Sequence, residues 1–148
     1  MSDLKTRIAE DVKAAMRAGD KARLSVLRML AAELKQREVV ESTALTDAVV
    51  QSVVEKMVKQ RRDAQAQFRS GGRADLADRE AAEIAVLMAY LPQQLSDTEL
   101  AALIDQAIAE TAASSGKDIG KVMAWIKPKV QGRTDMAKLA GLIKAKLG

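Results

Sequence analysis

Apolar residues recur along this chain at intervals of three and four, and the period-two alternation of a half-buried strand is absent. Leu4, Ile8, Val12 and Ala15 form one stripe and predict a helix near residues 3–18, stopped by Gly19. Asp20 caps the next helix, 20–37, whose inner face is Leu24, Leu27, Leu30, Ala31 and Leu34. The polar stretch from Arg37 to Ala44 reads as a loop or a frayed end. Thr46 opens the longest helix, 46–70, with Val49, Val50, Val53, Val54, Met57, Val58, Ala64 and Phe68 at helical spacing. Its valines favour strands in isolation, but their period of 3.6 decides for helix.

Gly71-Gly72 ends that helix, since paired glycines combine low helix propensity with backbone freedom. A helix over 75–91 follows, carrying Leu76, Ile84, Leu87, Met88 and Leu91; Pro92 ends it by disfavouring helical geometry in the residue before it. The segment Leu91-Pro92-Gln93-Gln94-Leu95 reads as a linker. Ser96 and Glu99 then fit a capping box, each side chain satisfying the other's amide, ahead of Leu100, Leu103 and Ile104. That predicts a helix over 96–114, closed by Ser114-Ser115-Gly116, and two short helices over 118–130 and 135–147. The expected fold is all-α: an N-terminal four-helix domain over 1–92 and a small C-terminal three-helix domain over 96–148.

The last two helices repeat one another. Aligned on Asp118 and Asp135, they match again at Lys121/Lys138, Ile126/Ile143, Lys127/Lys144 and Lys129/Lys146, with Pro128 opposite Ala145. At about 100° per residue, Ile119, Val122, Met123, Ile126 and Val130 share one face. Lys121, Trp125 and Lys129 share another, and Lys138, Leu142 and Lys146 occupy the same arc in the second copy. From Lys117 onward eight cations stand against two aspartates, a net +6 in a chain whose total is +4. A localised basic module of this kind is the footprint of a phosphate-bearing partner.

Absent residue types narrow the chemistry. The chain has no cysteine and no histidine, which removes disulfides, thiolate zinc sites, cysteine nucleophiles and the commonest general base. The polar start Met-Ser-Asp-Leu-Lys lacks a signal-peptide core, and no apolar run reaches the ~20 residues of a membrane span. A cytoplasmic protein with no membrane attachment, no cofactor and no metal is the expectation, as a monomer.

Two blocks carry a resemblance. The run Gly71-Gly-Arg-Ala-Asp-Leu-Ala-Asp-Arg-Glu-Ala-Ala-Glu-Ile, with Tyr90-Leu-Pro-Gln-Gln-Leu-Ser after it, resembles the middle signature of the YqeY family. Gly120-Lys-Val-Met, Pro128-Lys and Gly132-Arg-Thr-Asp135 look like its second signature, and Leu27-Arg-Met-Leu30 like its second helix. The second signature is shared with the tail of GatB, the tRNA-binding subunit of the glutamyl-tRNA(Gln)/aspartyl-tRNA(Asn) amidotransferase. Thr134 and Met136 flank Asp135 where the family often has small residues, a change that leaves the helix start intact. The resemblance implies an all-α protein of four plus three helices and a role beside tRNA. The positions it transfers are Lys117, Lys121, Lys127, Lys129, Arg133 and Lys138.

The candidate nucleic-acid-binding set is therefore Lys117, Lys121, Trp125, Lys127, Lys129, Arg133, Lys138 and Lys146. A solvated face is the competing reading for the lysines, but the segment lacks the alternating glutamates of an ordinary solvent face. Trp125 has two readings, an indole covering a seam toward the fifth helix or a ring for stacking on a sugar or base. Arg61-Arg62 and Arg69…Arg73 lie near Asp63, Asp75 and Asp78 and read as surface ion pairs. Asp118 and Asp135 read as N-caps rather than metal ligands. Asp78, Glu80 and Glu83 have no nucleophile, base or metal beside them, so no catalytic residue is expected.

Three functions remain. The first is a non-catalytic tRNA-binding accessory protein linked to tRNA-dependent amidation or aminoacylation, acting on backbone and shape. The second is the activity implied by the resemblance, carbon–nitrogen ligation with glutamine as amido donor, although in GatB that chemistry belongs to a domain preceding the tail. The third is an adaptor docking on an aminoacyl-tRNA synthetase or amidotransferase without touching RNA. Salt separates the first from the third, because phosphate contacts weaken steeply with ionic strength.

Overall fold

The computed structural model describes residues 2–148. Among the described residues there are seven α-helices and no strand: α1 Asp3–Ala18, α2 Lys21–Lys35, α3 Asp47–Ser70, α4 Ala74–Met88, α5 Asp97–Thr111, α6 Ile119–Val130 and α7 Met136–Leu147. The chain divides into two compact units, Met1–Leu91 and Pro92–Gly148.

In the first unit, α1 and α2 form one hairpin and α3 and α4 another. Ser2 caps α1 by accepting from the Lys5 amide at 3.1 Å. The Ser2 hydroxyl in turn donates to Asp47, which also accepts from the Leu4 amide at 3.2 Å, so one carboxylate ties the start of α1 to the start of α3. Gly19 turns the first hairpin in the left-handed region at φ 67°, and Gly72 turns the second at φ 74°, where a side chain would be strained. The core is built from Ile8, Val26, Leu27, Leu30, Val50, Val54, Leu87 and Tyr90, with Leu4, Val12 and Ile84 packed around it.

The ends of α2 and α4 differ from expectation. The chain does not become a loop at Arg37: it continues α2 as a π-helical turn over Gln36–Val40, with the Glu41 amide bonded to the Gln36 carbonyl at 3.2 Å. A salt bridge of 2.8 Å from Lys5 to Glu38 holds this turn against α1. At the other end, α4 stops at Met88, three residues before the expected 91. Pro92 has no amide for the Met88 carbonyl, so the chain tightens and Leu91 donates to Met88 at 3.1 Å instead.

The second unit is a three-helix bundle. Both halves of the capping box form: the Glu99 amide donates to the Ser96 hydroxyl at 3.1 Å, and the Ser96 amide donates to the Glu99 carboxylate at 3.3 Å. The core comprises Leu100, Ile104 and Ala107 of α5, Val122, Ile126 and Val130 of α6, and Leu139 and Ile143 of α7. Ile126 and Ile143, equivalent in the repeat, are both fully buried there. Helix α5 ends at Thr111 rather than 114, closed by Ala112 in the left-handed region at φ 54°, a turn taken without glycine. Ser115 and Gly116 instead open a short 3-10 turn, Gly116–Asp118, that leads into α6.

The expected linker is bonded into this second unit. Leu95 donates its amide to the Arg133 carbonyl at 2.8 Å, Gln94 reaches the Gly132 carbonyl at 2.7 Å, and the Arg133 Nε donates to the Gln93 carbonyl at 3.0 Å. Residues 93–95 are thus held by the α6–α7 turn, through main-chain partners far away in sequence.

Candidate nucleic-acid interface

The three helices of the second unit are not dressed alike. Helix α5 and its cap carry Asp97, Glu99, Asp105 and Glu110 with no cation, while every cation of residues 92–148 lies at Lys117 or beyond. Over the whole unit eight cations face six carboxylates, so the +6 of the last segment falls to +2. The unit is polarised rather than uniformly basic: an acidic helix beside two basic ones.

That arrangement divides the lysines. Lys138 lies 2.8 Å from Asp97, and Lys146 bonds Asp105. Both pairs are eight residues apart along both helices, which sets α5 and α7 side by side and parallel, with α6 running back between their ends. The arc that in α7 carries Lys138 and Lys146 therefore lies along α5. Acids that balance these lysines are absent nearby in sequence but supplied by the fold. Lys138 draws the Asp97 carboxyl below the usual carboxylate range through its hydrogen bond and its charge.

In α6 the same arc carries Lys121, Trp125 and Lys129. Lys121 is exposed, 3.7 Å from Asp118. Trp125 is half-buried against the second core, and the Lys129 ammonium sits 4.0 Å from the centroid of its ring. The ammonium lying over the indole is a cation–π contact within α6. Lys117, Lys127 and Lys144 are exposed and have no salt bridge among the described residues. Lys127 and Lys144 occupy equivalent repeat positions on the opposite flank from the Lys121–Lys129 arc. Lys144 belongs with the free cations although it stood outside the candidate set, the repeat alignment with Lys127 being the signal for it. Arg133 is half-buried and occupied by the Gln93 carbonyl.

The two repeat aspartates differ. Asp135 caps α7, accepting from the Ala137 amide at 2.9 Å. Asp118 does not cap α6; it accepts from the Ser114 amide at 2.9 Å and closes the α5–α6 connection. That bond, with a second backbone contact at Ser115 and the Lys121 charge, holds its carboxyl below the usual range. Among the described residues no group of three or more histidine, cysteine, aspartate or glutamate side chains is placed to hold a metal.

The first unit corrects the reading of Arg61. Its neighbours in sequence suggested a surface pair with Asp63, but its side chain is only 12% exposed and is bound by Glu80 and Glu83 of α4. Burial pushes the Glu83 carboxyl up, nearby Arg61 pulls it down, and Glu80 adds to the rise. This triad joins α3 to α4. Arg73 does pair with Asp75, at 3.1 Å, as a surface contact.

No helix among the described residues is long and apolar enough to cross a membrane. Three relatives are fungal proteins named "Altered inheritance of mitochondria protein 41, mitochondrial". That of Pyrenophora tritici-repentis is 29% identical over 82% of this chain and 70% of its own length. That of Lachancea thermotolerans is 28% identical over 98% and 79%, and that of Eremothecium gossypii 30% identical over 84% and 70%. These names overturn the cytoplasmic expectation. It rested on the lack of a secretory leader and of a span, features that bear on secretion and membranes and not on a mitochondrial address. The family model described as "Yqey-like protein" matches residues 5–147, nearly the whole chain, and the chain belongs to that family.

Proposed function

We propose that this protein is a non-catalytic RNA-binding accessory protein, and that its partner is tRNA, held through backbone phosphates by the C-terminal three-helix domain. The observation that carries the reading is the polarisation of that unit. The cations of α6 and α7 lie off the core stripe, Lys117, Lys127 and Lys144 are unpaired among the described residues, and Lys129 is propped on Trp125. Ammonium groups with no carboxylate to satisfy them attract phosphate oxygens, and helices α6 and α7 present such groups at matching repeat positions. The only aromatic ring of the unit already carries a cation, which supports recognition of backbone and shape over base stacking. The resemblance of Gly120-Lys-Val-Met and Gly132-Arg-Thr-Asp135 to the GatB tail supports tRNA as the RNA and tRNA-dependent amidation as the context. The same chemistry operates wherever RNA is held, including the mitochondrial setting named for the relatives.

The reading also takes residues 1–91 and 92–148 as separate domains, of four and three helices. Electrophoretic shifts with total tRNA at two salt concentrations test binding, using the whole chain and residues 92–148 alone. Retardation of both, weakening steeply with salt, is expected. Retardation independent of salt, or none at all, overturns the RNA reading and leaves the adaptor. An unfolded 92–148 segment overturns the domain reading.

A further inference from the structure

In the first unit, a cavity of about 390 Å³ is lined by Met29, Ala32, Met57, Gln60, Arg61 and Glu80, among others. Two thioethers border it, and they differ. Met57 is 7% exposed and belongs to the core, whereas Met29 is 47% exposed. The Met29 sulfur lies 3.4 Å from Nη2 of Arg61. The other arm of that guanidinium, Nη1, is held by Glu83 and, at 3.5 Å, by Glu80. One arginine thus divides its donors between two carboxylates and an accessible sulfur.

We propose that Met29 is an oxidation site: peroxide converts its thioether to the sulfoxide, whose oxygen draws Arg61 away from Glu80 and Glu83. In the step, a sulfur lone pair attacks one oxygen of hydrogen peroxide and the O–O bond breaks. The departing hydroxide takes the proton from the transferred oxygen and leaves as water. Sulfur is oxidised by two electrons and the peroxide is reduced by two. Reversal consumes a dithiol, which becomes a disulfide as the oxygen leaves in water. A thioether is a weak acceptor, whereas a sulfoxide oxygen is polar and competes for a guanidinium donor. Met16, 54% exposed, forms no hydrogen bond through its side chain among the described residues, so its oxidation carries no such consequence.

The test uses the full chain with Met16→Leu, hydrogen peroxide alone as oxidant, peptide mass mapping, and urea unfolding followed by circular dichroism. Met29 should gain one oxygen before Met57 does, and the urea midpoint should fall. Methionine sulfoxide reductase with a dithiol should restore it. Met29→Leu should abolish the shift, and Met29→Gln, which offers an amide oxygen to Arg61, should lower the midpoint without peroxide. With Glu80→Gln and Glu83→Gln together, Arg61 has no carboxylate to leave, and oxidation should move the midpoint less. Oxidation of Met57 ahead of Met29, an unmoved midpoint after Met29 is oxidised, or an equal shift in the Met29→Leu or double-glutamine protein overturns the proposal.

Discussion

The Tyr90 hydroxyl donates to the Asp11 carboxylate at 2.6 Å, fastening the end of the first unit to the middle of α1. Arg7 lies 4.9 Å from the centroid of the same ring, and Arg23 lies 3.8 Å from the same carboxylate. Burial first, then the bond to Asp11 and its negative charge, holds the phenol well above its ordinary range.

Tyr90→Phe should therefore cost about 1.5–3 kcal/mol, the worth of a hydrogen bond to a charged acceptor, read as a lower urea midpoint. The sign with pH follows from the raised value. The contribution is complete below the unfolded tyrosine value of about 10 and is lost as pH rises through the higher folded one. Tyr90 is the only tyrosine, so phenolate absorbance belongs to it alone and should emerge together with loss of helix. Phenolate appearing at an ordinary tyrosine pH, with the helices intact, would refute the contact.

Arg61→Met should destabilise the first unit by about 2–4 kcal/mol, somewhat under the usual cost of breaking a fully buried pair because Glu80 and Glu83 retain some exposure. Most of the loss comes from two half-buried carboxylates left facing one another. Replacing all three residues with apolar ones of similar volume should recover most of it. If the triple variant unfolds as readily as Arg61→Met, the triad is not the cause.

In the second unit, Ile126→Ala should cost about 2–5 kcal/mol through lost burial and the cavity left behind. Ser96→Ala should cost about 1 kcal/mol by opening the capping box. Residues 92–148, if they fold alone, give both values in one set of urea titrations. An unchanged midpoint for Ile126→Ala would mean that α6 packs through a different face.

Neutralising Lys127, Lys129 and Lys144 to glutamine should weaken tRNA binding and flatten its salt dependence by a little under one logarithmic unit for each phosphate no longer held. Lys138→Gln with Lys146→Gln should do less, since Asp97 and Asp105 already occupy those ammonium groups. Mobility shifts across a salt series compare the two variants. A larger effect from the second would mean that α7 exchanges its α5 partners for phosphate.

Local signals made most of the fold legible. Gly19, Thr46, Gly72 and the Ser96–Glu99 box mark helix ends because each acts within four residues of itself. Features that depend on distant partners were hidden. The π-helical turn at Gln36–Val40 has no composition of its own, and Ala112 takes a left-handed turn that sequence assigns to glycine. For Arg61, proximity in sequence pointed to Asp63, whereas the α3–α4 hairpin brings Glu80 and Glu83. The pairing of α7 lysines with α5 aspartates needs the parallel course of those helices, which no spacing along the chain reveals. The repeat marked which positions carry cations but could not sort the paired ones, Lys138 and Lys146, from Lys127 and Lys144.

Trp125 is the only tryptophan, and it belongs to the second unit. Excitation at the red edge, where the phenol of Tyr90 does not absorb, consequently selects one indole that reports on the second unit. With the Lys129 ammonium 4.0 Å from its ring centroid, the emission also senses whatever moves that lysine. A phosphate that recruits Lys129 changes the emission of a folded protein. Emission and helical signal, recorded side by side, separate the two halves of this chain without a label.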